Sequence, residues 1–350
     1  MEFLTKYRKE IEQNAKEFFE QKKKDFQKNN NWGDDVLSKL EEFIMRGKLV
    51  RGSLVLLIND LYGSKNHEDA KKVAVAIEIL HSALLIHDDV FDKDELRRGK
   101  PSIHKQYEDV ARKNNFSDPK HFGISLATCA GDVGFFLSME LINTTNLECD
   151  IKYKVIDIFY KEASQVGLAE MQDIFFEQSD EEFTEQEILK MYTYKTANYT
   201  FSLPMMLGAL IAEKKNEANK LQLIGEKLGI IFQIKDDEIS IFGEEKDTGK
   251  TTAIDIRDNK KTIHRLILLK KCNEKEKSNL KKIFGNKNIN KKEIELVRNL
   301  MKSKEVYDEL NNLMKKLEEE AKKEINILEL DEKQKNTIQE ILKFNMSRIK

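Results

Sequence analysis

Proline is scarce in this chain, with 3 in 350 residues, and glycine is held to 15. So few breaking and turning residues cannot punctuate a many-stranded sheet, which excludes sandwich and barrel architectures and favours long helices. Cysteine is scarce too. Cys129, Cys149 and Cys272 are odd in number and far apart, so neither a disulfide framework nor a zinc cluster is expected. Net charge is nearly absent: 60 basic against 62 acidic residues leave −2, which provides no global field for nucleic acid or an anionic membrane. Long apolar runs are missing as well. The longest nearly uncharged stretch, Tyr199 to Ala212, contains Pro204 and falls short of the roughly 20 residues that cross a bilayer, so it reads as core. Charge begins at Glu2 with no apolar leader, so a reducing, cytoplasmic location without a membrane span is expected.

What is present is helical periodicity. From Glu2 to about Lys28, Phe3, Tyr7, Ile11, Ala15, Phe18 and Phe19 recur at helical spacing on a charged background. Residues 29–35 read as a break, with Asp34 or Asp35 capping the next helix. Further helices are predicted at about 34–62, 68–92, 121–145, 150–178, 184–212, 216–242 and 260–271, followed by a charged, helical C-terminal third. Residues 94–101 and 243–259 read as charged, glycine-containing loops. No repeat or low-complexity linker divides the chain, so the expected architecture is all-α, one large helical bundle over residues 1–350.

Two apolar helices end in carboxylates. Leu84 to Asp92 closes with Asp88, Asp89 and Asp92, and Phe232 to Glu238 closes with Asp236 and Asp237. Asp88 and Asp92, four apart, share one helix face and repel each other unless a cation lies between them. If the two acidic ends face each other across a bundle, they hold several Mg²⁺ ions, which take oxygen ligands and retain phosphate oxygens and water. Phosphate so held needs basic partners, and Arg97, Arg98, Lys195, Lys250, Lys260, Lys48 and Arg51 are available. His87 and His104 read as packing residues because Mg²⁺ disfavours nitrogen.

These motifs resemble the trans-isoprenyl diphosphate synthases, the polyprenyl synthetase family that includes farnesyl and geranylgeranyl diphosphate synthases. The resemblance runs from about Phe43 to Thr262, through Gly47-Lys48-Leu49-Val50-Arg51-Gly52, Glu78 and His81, the first aspartate motif, Arg97 to Pro101, Gly131-Asp132, Lys195-Thr196, the second aspartate motif, Thr248-Gly249-Lys250 and Asp255 to Lys260. It implies an isoprenoid-synthase bundle around a central cavity and a homodimer. It also implies condensation of isopentenyl diphosphate with an allylic diphosphate, using about three Mg²⁺ ions. By the same resemblance Lys48, Arg51, His81 and Arg98 hold isopentenyl diphosphate, and Arg97, Lys195, Lys250 and Lys260 hold the allylic diphosphate. Asp88, Asp92 and Asp236 bind metal with Asp89 and Asp237 in support, while Thr196 and Gln233 face the allylic cation.

Departures from the family pattern shape the remaining expectations. Ser240 stands where the second motif normally ends in Asp, which predicts weaker Mg²⁺ affinity. Asp236, Ser240 and Glu244, spaced by four, resemble instead the metal triad of class I terpene cyclases, an alternative function that the set Lys48, Arg51, His81 and Arg98 argues against. A silent regulatory subunit is a second alternative, opposed by the intact first motif. Glu170 replaces a usual Gln, three residues before Asp173. Ala83, with Leu84 and Leu80, occupies the chain-length region, and the lack of an aromatic at Ala83 points to geranylgeranyl rather than farnesyl diphosphate. Phe135 and Phe136 are the candidate floor of the product site.

Overall fold

A computed structural model describes residues 2–26, 30–243 and 253–348, with side chains from Leu4 onward. The all-α class is as expected, and the strands among the described residues are two dipeptides, β1 (Leu96–Arg97) and β2 (Lys100–Pro101), paired antiparallel. The helices gather into two compact units.

The first unit comprises Met1–Asp157 and Leu207–Lys215. It holds α1 (Glu2–Phe26), α2 (Trp32–Met45), α3 (Val50–Leu61), α4 (His67–Phe91), α5 (Ile103–Lys113) and α6 (Pro119–Asn143), and α7 (Cys149–Gln178) begins in it. Helix α1 buries Tyr7, Ile11, Ala15 and Phe19, the four-residue stripe its sequence predicts. Helices α4 and α6 form the centre, flanked by α3 and α5. Their approach is close because Gly134 of α6 faces Ala83 of α4, where an added Cβ would sit 2.9 Å from the Ala83 Cβ. Helix α6 is the one helix among the described residues long and apolar enough to cross a bilayer, at mean hydropathy 1.4 over its most apolar window; 39% of that window is buried, and it packs on α4 and α5.

The second unit comprises Ile158–Met206 and Asn216–Lys350. In chain order it contains the rest of α7, α8 (Glu185–Tyr192), a π-helix (Thr193–Ser202), the start of α9 (Leu203–Ile211), which from Leu207 belongs to the first unit, and α10 (Lys215–Phe242) from Asn216 onward. After these come α11 (Ile254–Arg257), α12 (Ile263–Lys271), α13 (Glu274–Ile283), α14 (Lys291–Ser303), α15 (Val306–Asn326) and α16 (Glu332–Ser347). Capping boxes start α8, α13, α14 and α16, at Thr184, Asn273, Asn290 and Asp331, each answered by Glu or Gln three residues on.

Several boundaries differ from the sequence expectations. The helix predicted over 34–62 is two, because Leu49 adopts a left-handed φ of 53° between α2 and α3. Asn31, not Asp34 or Asp35, occupies the N-cap position of α2, and the two aspartates lie in its first turn, where they favour the helix dipole. Helix α5 was not anticipated; its high helical amphipathicity follows directly after Pro101, which reads locally as loop. The 184–212 helix is interrupted by the π-helix, whose apolar pattern a 3.6-residue period does not distinguish.

Candidate functional site

In the first unit, α4 delivers Asp88, Asp89 and Asp92 to its C-terminal end, where the helix dipole disfavours negative charge. Arg97 offsets this. Its Nη2 donates to Asp88 Oδ2 at 2.9 Å and to Asp94 Oδ2 at 3.2 Å, and the guanidinium also pairs with Asp89. Asp89 is fully buried, and burial outweighs Arg97 and pushes its carboxyl up to about 7. Asp88 and Asp92 remain half-buried. They are therefore the carboxylates of this motif open to a cation.

The β1–β2 turn passes through Arg98 and Gly99 at φ 53° and 75°, and Arg98 returns to α2, where Nη1 donates to the Phe43 carbonyl at 2.9 Å. Gly47 leaves room for it, since a Cβ there would lie 3.0 Å from Arg98 Nη1. Beneath, buried Glu78 accepts from the Gly52 N–H at 2.8 Å and lies beside Arg51 and Arg98. His81 is one turn farther along α4. Burial, then the charges of Arg51, Arg98 and Arg97, hold it well below its ordinary pKa, so it is a neutral imidazole at pH 7. Three guanidiniums near a neutral ring, with exposed Lys48 nearby in sequence, make a cationic cluster suited to an oxyanion.

Lower on α4, Ala83 and Leu80 are buried and Leu84 is half-buried. His87 stacks on Phe135 with ring centroids 5.2 Å apart and lies 3.4 Å from Asp132, a packing role rather than ligation. Phe136 is 71% exposed in this unit, so of the two candidate floor residues only Phe135 is placed against α4.

The second unit brings together the other motif residues. Helix α10 lays Gly225 and Gly229 on the π-helix: a Cβ at Gly225 would sit 2.5 Å from the Ser202 backbone, and one at Gly229 would overlap Ala197. Backbones pack without intervening side chains, and one turn on, Gln233 comes alongside Thr196, whose Oγ1 donates to Gln233 Oε1 at 2.7 Å. These two line a cavity with Lys195, Lys260, Asp173, Asp236, Ser240 and Asp255. Lys195 Nζ is 2.5 Å from Asp173 and 3.0 Å from Glu170, while Lys260 Nζ is 3.0 Å from Asp173 and also pairs with Glu177. Burial opposes ionisation of Asp173, but the two lysines prevail and hold its carboxyl at about 2.

Asp236 accepts from Arg348 Nη2 at 3.0 Å, and that guanidinium lies 4.1 Å from the Phe232 ring centroid. Asp237 is buried and engaged on both oxygens, by Tyr192 OH and by Gln233 Nε2 at 2.7 Å. Burial, with Asp255 and Asp236 as neighbours, pushes its carboxyl well above the usual range. Lys250, Glu244 and the Thr248-Gly249 pair lie outside the described residues. Tyr192 and Arg348 had no sequence signal: the first touches Asp237 from 45 residues away and the second touches Asp236 from 112. Among the described residues no three carboxylate, imidazole or thiol groups converge on one point. Taken within their own units, half-buried Asp88 and Asp92 in the first and Asp236 in the second each suit Mg²⁺, which uses one or two protein carboxylates and takes its other ligands from phosphate and water.

The chain matches the polyprenyl synthetase family over residues 34–301. It is 34% identical over 255 residues to the geranylgeranyl diphosphate synthase of Sulfolobus acidocaldarius, covering 72% of each chain. To that of Saccharolobus solfataricus it is 35% identical over 256 residues, again 72% of each. Its fold matches the crystal structure of geranylgeranyl pyrophosphate synthase from Corynebacterium glutamicum complexed with isoprenyl diphosphate and magnesium, at TM-score 0.90 and 24% identity over 99% of both chains.

Proposed function

The chain belongs to the polyprenyl synthetase family, and from that premise we propose that it is a short-chain trans-prenyltransferase that condenses isopentenyl diphosphate with allylic diphosphates. The observation that carries this is the cavity of the second unit, where two lysines (Lys195, Lys260), neutral oxygen acceptors (Thr196, Gln233) and the carboxylate of Asp236 line one space. Cationic groups suit a departing diphosphate, and uncharged oxygens suit the carbocation it leaves.

Lys195 and Lys260, with Arg97 and Lys250, are assigned to the allylic diphosphate; Lys48, Arg51, Arg98 and the neutral N–H of His81 are assigned to isopentenyl diphosphate. Asp88, Asp92 and Asp236 are the carboxylates assigned to Mg²⁺, about three ions by family likeness. Bound Mg²⁺ supplies neutralisation of diphosphate charge. Lys195 and Lys260 exchange their pairing with Asp173, Glu170 and Glu177 for phosphate oxygens, so substrate binding replaces one set of ion pairs by another. Thr196 and Gln233 turn oxygen lone pairs toward the allylic carbon and stabilise the positive charge as it forms. The proton lost after coupling passes to diphosphate, so no side-chain base is assigned.

Geranylgeranyl diphosphate is the proposed product, because the Sulfolobus and Saccharolobus relatives are named geranylgeranyl diphosphate synthases and Ala83 offers no aromatic floor. Residues 1–350 are proposed to act as one catalytic domain and as a homodimer. Supporting the dimer, Leu168, Met171 and Phe175 are 59%, 68% and 60% exposed and recur at helical spacing on α7. The three unpaired thiols suit a reducing cytoplasm. Chromatography of products from isopentenyl diphosphate with five-, ten- and fifteen-carbon starters tests the function. Elongation to twenty carbons is expected, whereas hydrocarbon or alcohol from an allylic diphosphate alone, without elongation, would mark a cyclase.

A further inference from the structure

A prenyl cation is stabilised by Thr196 and Gln233 only if their oxygens, not their hydrogens, face it. Neither side chain fixes this by itself: a glutamine amide rotated by half a turn exchanges acceptor for donor within the same volume. Something must hold the amide one way round.

We propose that Tyr192 and Asp237 are positioning residues which, through a buried hydrogen-bond chain, lock Gln233 with its carbonyl toward Thr196 and so give the cavity wall its polarity. The chain starts at α12. The Ile263 N–H donates to Tyr192 OH at 3.1 Å, the phenol donates to Asp237 Oδ2, and Gln233 Nε2 donates to Asp237 Oδ1 at 2.7 Å. Asp237 has no competing use in this arrangement, since both oxygens are engaged and the residue is 5% exposed. An amide presented to Oδ1 of a carboxylate whose Oδ2 already accepts from Tyr192 turns its N–H to that oxygen. Its carbonyl then accepts the Thr196 hydroxyl hydrogen at 2.7 Å. With that hydrogen spent, Thr196 shows the cavity lone pairs alone. A flipped amide would reverse both dipoles, pointing N–H at Thr196 and releasing the threonine hydrogen into the space where positive charge develops.

Sequence spacing helps explain why the device is hidden. Tyr192, the last residue of α8, and Thr196, four residues on in the π-helix, both reach the α10 face that carries Gln233 and Asp237, also four apart. Asp237, which lies in a motif otherwise assigned to metal, thereby works on the amide rather than on an ion. Tyr192 is the residue that only the folded chain connects to it.

The inference rests on the prenyltransferase reading, so wild-type condensation is measured first; its absence overturns that reading. With wild-type activity in hand, Tyr192→Phe keeps the ring in its slot and deletes the hydroxyl. Its kcat is expected to fall about tenfold, with KM for both diphosphates changed by no more than about twofold. Asp237→Asn is expected to lose kcat similarly while the Mg²⁺ concentration for half-maximal rate stays within about twofold of wild type. The double variant should be no slower than Asp237→Asn, because the phenol acts through the carboxyl. Unchanged kcat in Tyr192→Phe, additive losses in the double variant, or a raised Mg²⁺ requirement in Asp237→Asn each overturn the proposal. If the phenylalanine variant does not fold, Asp237→Asn decides by the same split between rate and metal requirement.

Discussion

Glu170 stands 3.0 Å from the Lys195 ammonium, which Asp173 already holds at 2.5 Å. The family's usual glutamine would leave Lys195 one negative charge fewer to give up when diphosphate arrives. Such a partly exposed pair is worth less than about 1 kcal/mol, so Glu170→Gln should lower KM for the allylic diphosphate by about threefold and leave KM for isopentenyl diphosphate unchanged. Equal shifts in both constants would show that Glu170 does not act through Lys195. Ser240 poses the converse case. Its hydroxyl is buried with no hydrogen-bond partner among the described residues, on the cavity that Asp236 and Asp255 line. Ser240→Asp adds a carboxylate there, and the Mg²⁺ concentration for half-maximal rate should drop about threefold. An unaltered Mg²⁺ titration disproves the link between Ser240 and metal affinity.

Elements rather than single residues explain how the motif residues meet. The glycines of α10 allow the π-helix within backbone contact, and Gly229→Ala would press a methyl onto Ala197. Overpacking of this kind costs roughly 1–3 kcal/mol, to be read as a lower melting temperature, and the displaced Thr196 should lower kcat as well. An alanine variant with wild-type melting and rate would remove the close approach from the account. The α4–α6 contact makes a parallel case. Ala83→Phe crowds Gly134 and should shorten the main product as well as reduce stability; an unchanged product distribution would discredit Ala83 as a length determinant. Much at this scale was legible beforehand. The apolar stripe of α1, both aspartate ends and the lysine–threonine pair follow from period and motif. The break at Leu49 and the π-helix do not, because a left-handed residue without glycine and a widened turn leave the 3.6-residue pattern nearly intact. Contacts of Arg348 and Tyr192 with the second motif were illegible for a different reason: they join residues far apart in sequence, and nothing local marks them.

At the scale of the whole molecule, the apolar residues that remain outside are as informative as those within. A charged chain with 35% Asp, Glu, Lys and Arg has ample means to cover its surface, yet α7 exposes Leu168, Met171 and Phe175 at positions i, i+3 and i+7. Three large side chains on one helical face leave contiguous apolar surface in water, and each is worth roughly 1.5–3 kcal/mol when covered. A second copy of the chain brings an identical row, so a two-fold pairing of α7 with its mate covers both at once, as isologous interfaces do. Met171→Glu places a charge in the middle of that row. Sedimentation velocity should then show monomer where the unaltered protein is expected to show the proposed dimer, with the helical circular dichroism spectrum retained, because Met171 contributes little to its own core. A dimer that survives the substitution would exclude the α7 row as the interface, and an unaltered protein that sediments as a monomer would exclude the homodimer itself.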